Sequence, residues 1–349
     1  MTAPIPSEKN AMTGSNREFK SMRNTVPHNR KGYTPLPIKN GLNATRVRVP
    51  ESHTYSNITA WDFLTEVITG QRHRHPDDND MALQQRFDDG EVVLRNRTTL
   101  RPESQLKPGT DVYFYRIPAP EKPVPYDITI VYEDDNILVA DKPPFMATMP
   151  RARHIVQTAT VQLRRTTGID DLSPAHRLDR LTSGLLLFTK KRGIRGAYQT
   201  LFANREVSKT YTAIAPYKEF ETPLTWHSRM EKTPGEIQGR IVEGEPNAIT
   251  DLVTVEKIDG TPYEAIHGQQ PQLAKYILKP HTGKTHQLRL HMWQAGVPIL
   301  GDPVYPTIFP EEAEDMGIPM HLTATELSFK DPLTGKNTLF TCDSQLFNN

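Results

Sequence analysis

Cysteine is almost absent. Cys342 is the single one in 349 residues, which excludes an intrachain disulfide and a cysteine-built zinc site. Long apolar runs are also missing, and no segment approaches the ~20 residues that a membrane span needs. The first residues are charged and proline-punctuated, without the apolar stretch of an export signal, so a cytoplasmic location is the expectation. Excess charge is lacking as well. Lys and Arg number 42 against 41 Asp and Glu, a net charge of +1, which makes no whole-chain case for a nucleic-acid partner. What remains suits a soluble globular protein: 36% apolar residues, 24% charged, enough length for two domains, and 30 prolines that imply many connections.

Charge is unevenly distributed, however. From Arg151 to Thr210 there are twelve Lys/Arg against Asp170, Asp171, Asp179 and Glu206. Acid gathers elsewhere, at Glu133-Asp134-Asp135 and from Glu311 to Asp315. Such segregation builds a basic face on a nearly neutral protein, or a solvated surface whose counter-charges fold in beside it.

The stretch from Ala175 to Lys190, AHRLDRLTSGLLLFTK, is the most informative. It sets Asp179 among His176, Arg177 and Arg180, and the turn Thr182-Ser183-Gly184 follows. Leu185 to Phe188 is too short for a helix and reads as a buried strand after a turn. Asp179 should therefore lie on a loop at the mouth of a sheet. On residue identity alone, an acid among arginines is most often a structural ion pair.

Further patterns occur in order. Ile128 to Tyr132 and Ile137 to Ala140 read as strands around Glu-Asp-Asp-Asn, closed by Lys142-Pro143-Pro144. A helix is expected over Gly193 to Asn204, then a strand Val207 to Ile214 containing Lys209-Thr-Tyr211-Thr-Ala213. A strand Tyr276 to Lys279 precedes Thr282-Gly283-Lys284-Thr285-His286-Gln287-Leu-Arg289-Leu-His291, where Thr285 would cap a helix running to about Ala295. Gly301-Asp302 comes later. Residues 217 to 272 predict hairpins with irregular loops.

This ordered set resembles the RluA-type RNA pseudouridine synthases, over about residues 128 to 335. The resemblance implies an α+β fold with a central mixed, largely antiparallel sheet and an active-site cleft. It implies Asp179 as the catalytic carboxylate, Tyr211 against the target base, and Arg289 ion-paired with Asp179. Arg177 would help flip the uridine out of its stack. His176, Arg180, Lys209, Lys284, Thr285, His286 and Gln287 would contact RNA. One position departs from the family: Met149 stands where a His is common, and Arg151 and Arg153 just beyond it would supply phosphate contacts instead.

The first 120 residues resemble the family less. Residues 1–41 carry seven Lys/Arg against two Glu and read as a basic, disordered arm. Residues 42–118 form a small separate module. Thr59 to Ile68 has helical spacing with Thr59 as cap, Met81 to Phe87 a second short helix, and Asn43 to Val49, Glu91 to Leu94 and Asp111 to Tyr115 are strand-like. The Asp-Gly-Glu-Val and Lys-Pro-Gly-Thr-Asp-Val stretches resemble the second half of an S4-type RNA-binding module, although the basic first helix of that module is missing. Four prolines between Ile117 and Pro125, at 118, 120, 123 and 125, read as a linker by composition, placed at 119–126, and 127–345 would be the catalytic domain.

The chemistry implied is an isomerisation, so neither redox carrier nor nucleotide is required and no cofactor is expected. Structured RNA is the partner, large-subunit ribosomal RNA first and tRNA second, with no membrane and no protein partner implied. Rival readings fare worse. Gly283-Lys284-Thr285 hints at a phosphate loop, but position 278 is Leu where that loop needs Gly. His281, His286 and His291 are spaced by five, which puts them on different helical faces and argues against a metal site. A glycoside hydrolase needs a second acid at ~5–9.5 Å, which these motifs do not supply. A non-catalytic RNA-binding protein would have lost Asp179 or Arg289, and both are present.

Overall fold

The computed structural model describes residues 34–310 and 313–343, in two compact units divided in sequence between Pro120 and Glu121. Residues 1–33, most of the expected basic arm, lie outside the described residues.

The smaller unit places β1 (Thr45–Arg48), β3 (Val93–Leu94) and β5 (Asp111–Phe114) in one sheet, with β5 between the other two. A second pair joins β2 (Ile58–Thr59) to β4 (Gln105–Leu106). Helix α1 (Ala60–Thr69) starts where Thr59 Oγ1 accepts from Asp62 N at 3.0 Å. Helix α2 (Asp80–Asp88) starts where Asn79 Oδ1 accepts from Met81 N and Ala82 N. Both caps satisfy amides that the first helical turn leaves orphaned. The apolar stripe Phe63, Leu64, Val67 and Ile68 packs with Leu83, Phe87, Val112 and Phe114 in one core.

The larger unit is built on an eleven-stranded sheet. It comprises β6 (Thr129–Glu133), β7 (Ile137–Lys142), β8 (Ser173–Pro174), β9 (Ser183–Thr189), β10 (Ser208–Pro216), β11 (Leu224–Glu231), β12 (Arg240–Val242), β13 (Ala248–Ile258), β14 (Leu273–Pro280), β15 (Leu322–Lys330) and β16 (Asn337–Thr341). The main path runs β12-β11-β13-β14-β10-β15-β9-β7-β6, with β16 on β15 and β8 on β9. The mixed character comes from one parallel pair, β15 with β9, among antiparallel neighbours. That pair brings the start of β9 beside β15 and one strand away from β10.

Period-two alternation assigns each strand's residues to two cores. Leu138, Ala140, Leu186 and Phe188 join the larger core, which α3 (Ala159–Thr167) and α6 (Gln287–Gln294) cover with Leu163, Leu288 and Met292. Ile137, Val139, Leu185 and Leu187 face the opposite side, under Tyr198 and Leu201 of α4 (Arg195–Ala203). All seven residues of β9 are buried, as the run of Leu and Phe requires.

Four local expectations change. The helix expected from Gly193 begins at Arg195, after a short 3-10 turn over Arg192–Ile194. Among the expected hairpins of 217–272, the chain also forms α5 (Thr261–His267), seeded by Asp259 Oδ1 accepting from Thr261 N at 3.0 Å and by a proline in the first turn. Helix α6 is capped one residue later than expected, at His286, whose φ of 59° is left-handed and ends the preceding loop. Finally, the proline-rich stretch is anchored from Glu121 onward. The Glu121 carboxylate accepts from the amides of Ile155, Val156 and Gln157 at 2.9, 2.7 and 3.0 Å, and Tyr126 donates to Met316 O at 2.7 Å.

Gly184 is demanded by the parallel pair. Its φ is +103°, and a Cβ there would lie 2.3 Å from Ala324 O and 2.5 Å from Ala324 N. Gly196, inside α4, has open space around it and no positive φ. Gly184→Ala should therefore destabilise the protein by at least about 2 kcal/mol in urea unfolding. Gly196→Ala should stabilise it by about 0.5–1 kcal/mol. Equal midpoints for the two variants would contradict this account of the strand contact.

Candidate active site

Asp179 lies on the loop that joins β8 to β9, as the turn and apolar run anticipate. Several contacts fix this loop. Thr148 Oγ1 donates to Leu178 O at 2.9 Å and accepts from Leu178 N at 3.1 Å. Thr182 N donates to Asp179 O at 3.1 Å. Ser183 Oγ lies 2.6 Å from Thr323 Oγ1 on the parallel neighbour. His176 turns inward, stacked on Phe202 with ring centroids 4.3 Å apart, and its Nε2 accepts from Leu187 N at 3.1 Å. Burial, with the Lys209 charge behind it, pushes His176 down to about 3, so it is a neutral acceptor. It anchors the loop and does not line the cleft, contrary to its expected role at RNA.

Beneath the loop sits a lysine that sequence reasoning had not singled out as a site residue. Lys142, at the end of β7, is fully buried, and its Nζ donates to Pro143 O and Met146 O at 2.8 Å each and to Arg180 O at 3.3 Å. Burial lowers its pKa to about 7, opposed by the charge of Asp179 and reinforced by that of Arg180. The Lys-Pro pair was visible in the sequence as a strand end, but nothing in it marked the ammonium as a three-way tie.

The cleft itself encloses about 180 Å³ and is lined by Arg177, Asp179, Thr182, Lys209, Tyr211, the loop from Thr282 to His286, and Gln287, Leu288 and Arg289 of α6. Asp179 and Arg177 come from the loop, Lys209 and Tyr211 from β10. The register of β10 on β15 shifts between Thr210 and Tyr211, a bulge that re-aims the side chains at this point. Tyr211 is buried, and burial followed by the Asp179 charge pushes its phenol up, so it stays protonated. Lys209 is pushed down by burial.

The expected ion pair between Arg289 and Asp179 is not formed. Arg289 is buried on α6 and gives its fork to Asp302: Nε to Oδ2 at 2.7 Å and Nη2 to Oδ1 at 2.6 Å. Burial lowers its pKa, but the bonds to Asp302, the charge of Asp302 and then that of Asp179 outweigh it, and the net shift is upward. Asp302, thirteen residues along the chain, had appeared only as part of a Gly-Asp pattern. The guanidinium also lies 5.2 Å from the ring centre of Tyr305. Among the described residues the side chain of Asp179 has no hydrogen-bond or ion-pair partner.

Other expected contacts divide. Lys284 and Thr285 are exposed at the cleft. His286 Nδ1 lies 3.0 Å from Tyr305 Oη, and burial with the Arg289 charge lowers its pKa to about 4, leaving it neutral at pH 7. Gln287 is committed to protein: Nε2 donates to Ile249 O and Thr250 Oγ1, and Oε1 accepts from Thr282 Oγ1 and Lys284 N. It holds the loop and has no capacity left for RNA. Arg180 is likewise spent, on Glu314 and over the ring of Phe145. Arg151 and Arg153 lie on a tight turn closed by Arg151 N to His154 O at 2.8 Å, outside the cleft lining. The hairpin from β11 to β12 adds Lys232, whose Nζ donates to Glu236 O and Ile237 O; burial lowers its pKa and the Asp179 charge raises it. No sequence signal distinguished this lysine.

The arrangement offers one unbonded carboxylate in a cleft of about 180 Å³ also lined by a phenol, a fixed guanidinium and further cations. Residues 136–294 match the family model described as RNA pseudouridylate synthase. The dual-specificity RNA pseudouridine synthase RluA of Vibrio cholerae is 31% identical over 207 residues, covering 59% of this chain and 78% of the relative. The protein of that name from Haemophilus influenzae is 30% identical over 224 residues, covering 63% of this chain and 94% of the relative. Among solved structures, human RNA pseudouridylate synthase domain containing 1 aligns with a TM-score of 0.50 at 26% identity, over 62% of this chain and 84% of that one.

Lys142→Met tests the tie beneath the loop. Three buried carbonyls lose a donor, and a loss of about 1–3 kcal/mol is expected in denaturant unfolding. The sign with pH follows from the lowered pKa. The unfolded chain holds the proton up to the ordinary 10.5 and the folded one only to about 7, so stability from this group rises across that interval. The gap between wild type and variant should widen as pH rises through it. A gap that narrows would contradict the lowered pKa of this buried amine.

Proposed function

The chain belongs to the RluA-type family of RNA pseudouridine synthases, and from that premise we propose that Asp179 is its catalytic carboxylate, acting on uridines of structured RNA. The activity is an isomerisation. The bond from uracil N1 to ribose C1′ breaks, C1′ rejoins the ring at C5, the C5 proton leaves and N1 regains one. A single ionised carboxylate at the nucleoside suffices, as nucleophile or as base. The observation that carries the assignment to Asp179 is its unbonded carboxylate in the cleft, with the charge of Arg289 acting on it.

The remaining lining residues fit a uridine taken out of its stack, at a cost of a few kcal/mol. Tyr211 packs against the extruded ring, Arg177 fills the place it leaves, and Lys209 and Lys284 face the backbone phosphates. The small N-terminal unit, read as a degenerate S4-like module, favours large-subunit ribosomal RNA as the substrate. A second reading, tRNA, is supported by the words dual-specificity in the names of two relatives, and the two pools are best tested apart.

Tritium release from RNA labelled at uridine C5 tests the proposal. Wild type should release label from ribosomal RNA. Asp179→Asn should lose on the order of 10³-fold or more of that rate while retaining RNA affinity. Release by the Asn variant at the wild-type rate would remove Asp179 from the chemistry, and release from tRNA alone would move the substrate to the second reading.

A further inference from the structure

The chain after α6 passes from one wall of the cleft to the other. It leaves the wall of Arg289 and His286. Asp302, which does not line the cleft itself, takes the guanidinium fork of Arg289 at 2.7 and 2.6 Å. Its Oδ1 also accepts from Val304 N at 2.8 Å and Tyr305 N at 3.2 Å. The Tyr305 hydroxyl meets His286 Nδ1 at 3.0 Å and accepts from Gly239 N at 2.8 Å. Gln238 Nε2 donates to Val304 O at 2.5 Å, so the β11–β12 hairpin is tied to the same segment. The chain then arrives at the loop of Asp179. Arg180, the residue after the acid, gives its fork to Glu314, with Nη1 to Oε2 at 2.9 Å. Tyr126 fixes Met316 just beyond. Each end of this strap is therefore bonded to residues that line or adjoin the cleft.

Its middle faces solvent. Phe309 N donates to Pro303 O at 2.8 Å, which folds the backbone onto itself, yet Ile308 is 45% and Phe309 61% exposed. Among the described residues Phe309 is the most exposed aromatic. A lone exposed apolar side chain is ordinary on a protein surface. Here the backbone is anchored at both walls of a cleft and the ring is held in water, four residues after the tyrosine that packs by Arg289. Four residues span at most about 14 Å, which keeps the ring within reach of nucleotides next to one bound in the cleft.

We propose that Phe309, widened by Ile308, is a stacking platform for an unpaired base of the substrate RNA close to the target uridine. The proposal rests on the cleft receiving that uridine. A nucleotide drawn out of its stack leaves neighbours with bare faces. An aromatic ring covers such a face whatever the base, and it does so at small entropic cost because it has only two rotatable bonds. The charge of the strap favours a base over a phosphate. Beyond Phe309 it carries Glu311, Glu312, Glu314 and Asp315, and between Arg289 and Lys330 the chain has no Lys or Arg. Phosphates are left to Lys209 and Lys284 of the cleft, and the strap offers a neutral ring.

Equilibrium binding and single-turnover rates on the RNA pool that wild type modifies make the test, with thermal unfolding followed in parallel. Phe309→Ala should weaken binding by about 5- to 150-fold. The rate at saturating RNA and the unfolding midpoint should not change, because the exposed side chain supports neither the acid nor a core. Phe309→Trp keeps a stacking face and should bind as wild type or tighter. Phe309→Leu keeps apolar bulk without the ring and should stay close to the Ala variant. Wild-type affinity in Phe309→Ala overturns the proposal, and so does wild-type affinity in Phe309→Leu. A loss of affinity that comes with a lower unfolding midpoint and is not rescued by Phe309→Trp marks a structural role and overturns it too. If the ring instead docks a second copy of the chain, Phe309→Ala shifts sedimentation toward the monomer with RNA affinity intact, which also overturns it. Asp179→Asn is run beside these variants. If it stays active, the catalytic assignment fails by itself, while binding by the Phe309 variants still decides the platform. If it is inactive and Phe309→Ala binds like wild type, only the platform fails.

Discussion

The site depends on a buried lysine. Lys142 Nζ reaches one carbonyl of the loop carrying Asp179 and two of the turn after β7, and so ties the end of one strand to the approach of another. A cation enclosed this way is costly unless its donors are used, and all three are. Around it, Thr148 clasps Leu178 from one side and Ser183 meets Thr323 from the other. The acid thus stands on a loop whose backbone is held at several points while its own side chain is left without a protein partner. That contrast between a fixed backbone and an uncommitted carboxylate is what a preorganised reactive group requires.

The opposite wall of the cleft uses the same device with the signs exchanged. There a guanidinium is committed to an acid outside the cleft, an aromatic ring lies against it, and a neutral imidazole bonds the same tyrosine. The bulge at Thr210/Tyr211 then brings a protonated phenol to the same place.

How much of this could be read from the residues alone varies with the range of the interaction. The loop before β9 was legible because a turn followed by four apolar residues admits few other structures, and β9 is buried on both faces as such a run demands. The cleft lining draws on three separate stretches, and the family resemblance brought Asp179, Tyr211 and Arg289 together in it. What could not be read was where each long polar side chain would turn. Gln287 and Lys284 are near neighbours in one motif, yet Gln287 spends its amide on β13 while Lys284 stays exposed. His176 and Arg177 are adjacent, yet one stacks on Phe202 and the other faces the cleft. The partner of Arg289 was mistaken for a similar reason. Its fork is taken by Asp302, which the loop after α6 carries to it, and that loop has no periodic signal. Helix α5 escaped notice because Asp259 and a first-turn proline start it within a stretch otherwise poor in helical pattern.

The parallel pairing of β9 with β15 has a consequence for the order in which the molecule comes together. Ser183 and Thr323 are separated by 140 positions, yet their hydroxyls share a hydrogen bond beside the loop of Asp179. Contacts of such separation form late, because the loop they close must be restrained before they contribute anything. On a ribosome, β7 and β9 can pair soon after they emerge, and the loop bearing Asp179 then exists without its neighbour. The cleft is completed only when β15 slides in between β9 and β10, after the strands on either side have been made. A chain still being made would already possess the loop of Asp179, but not the full wall of the cleft around it.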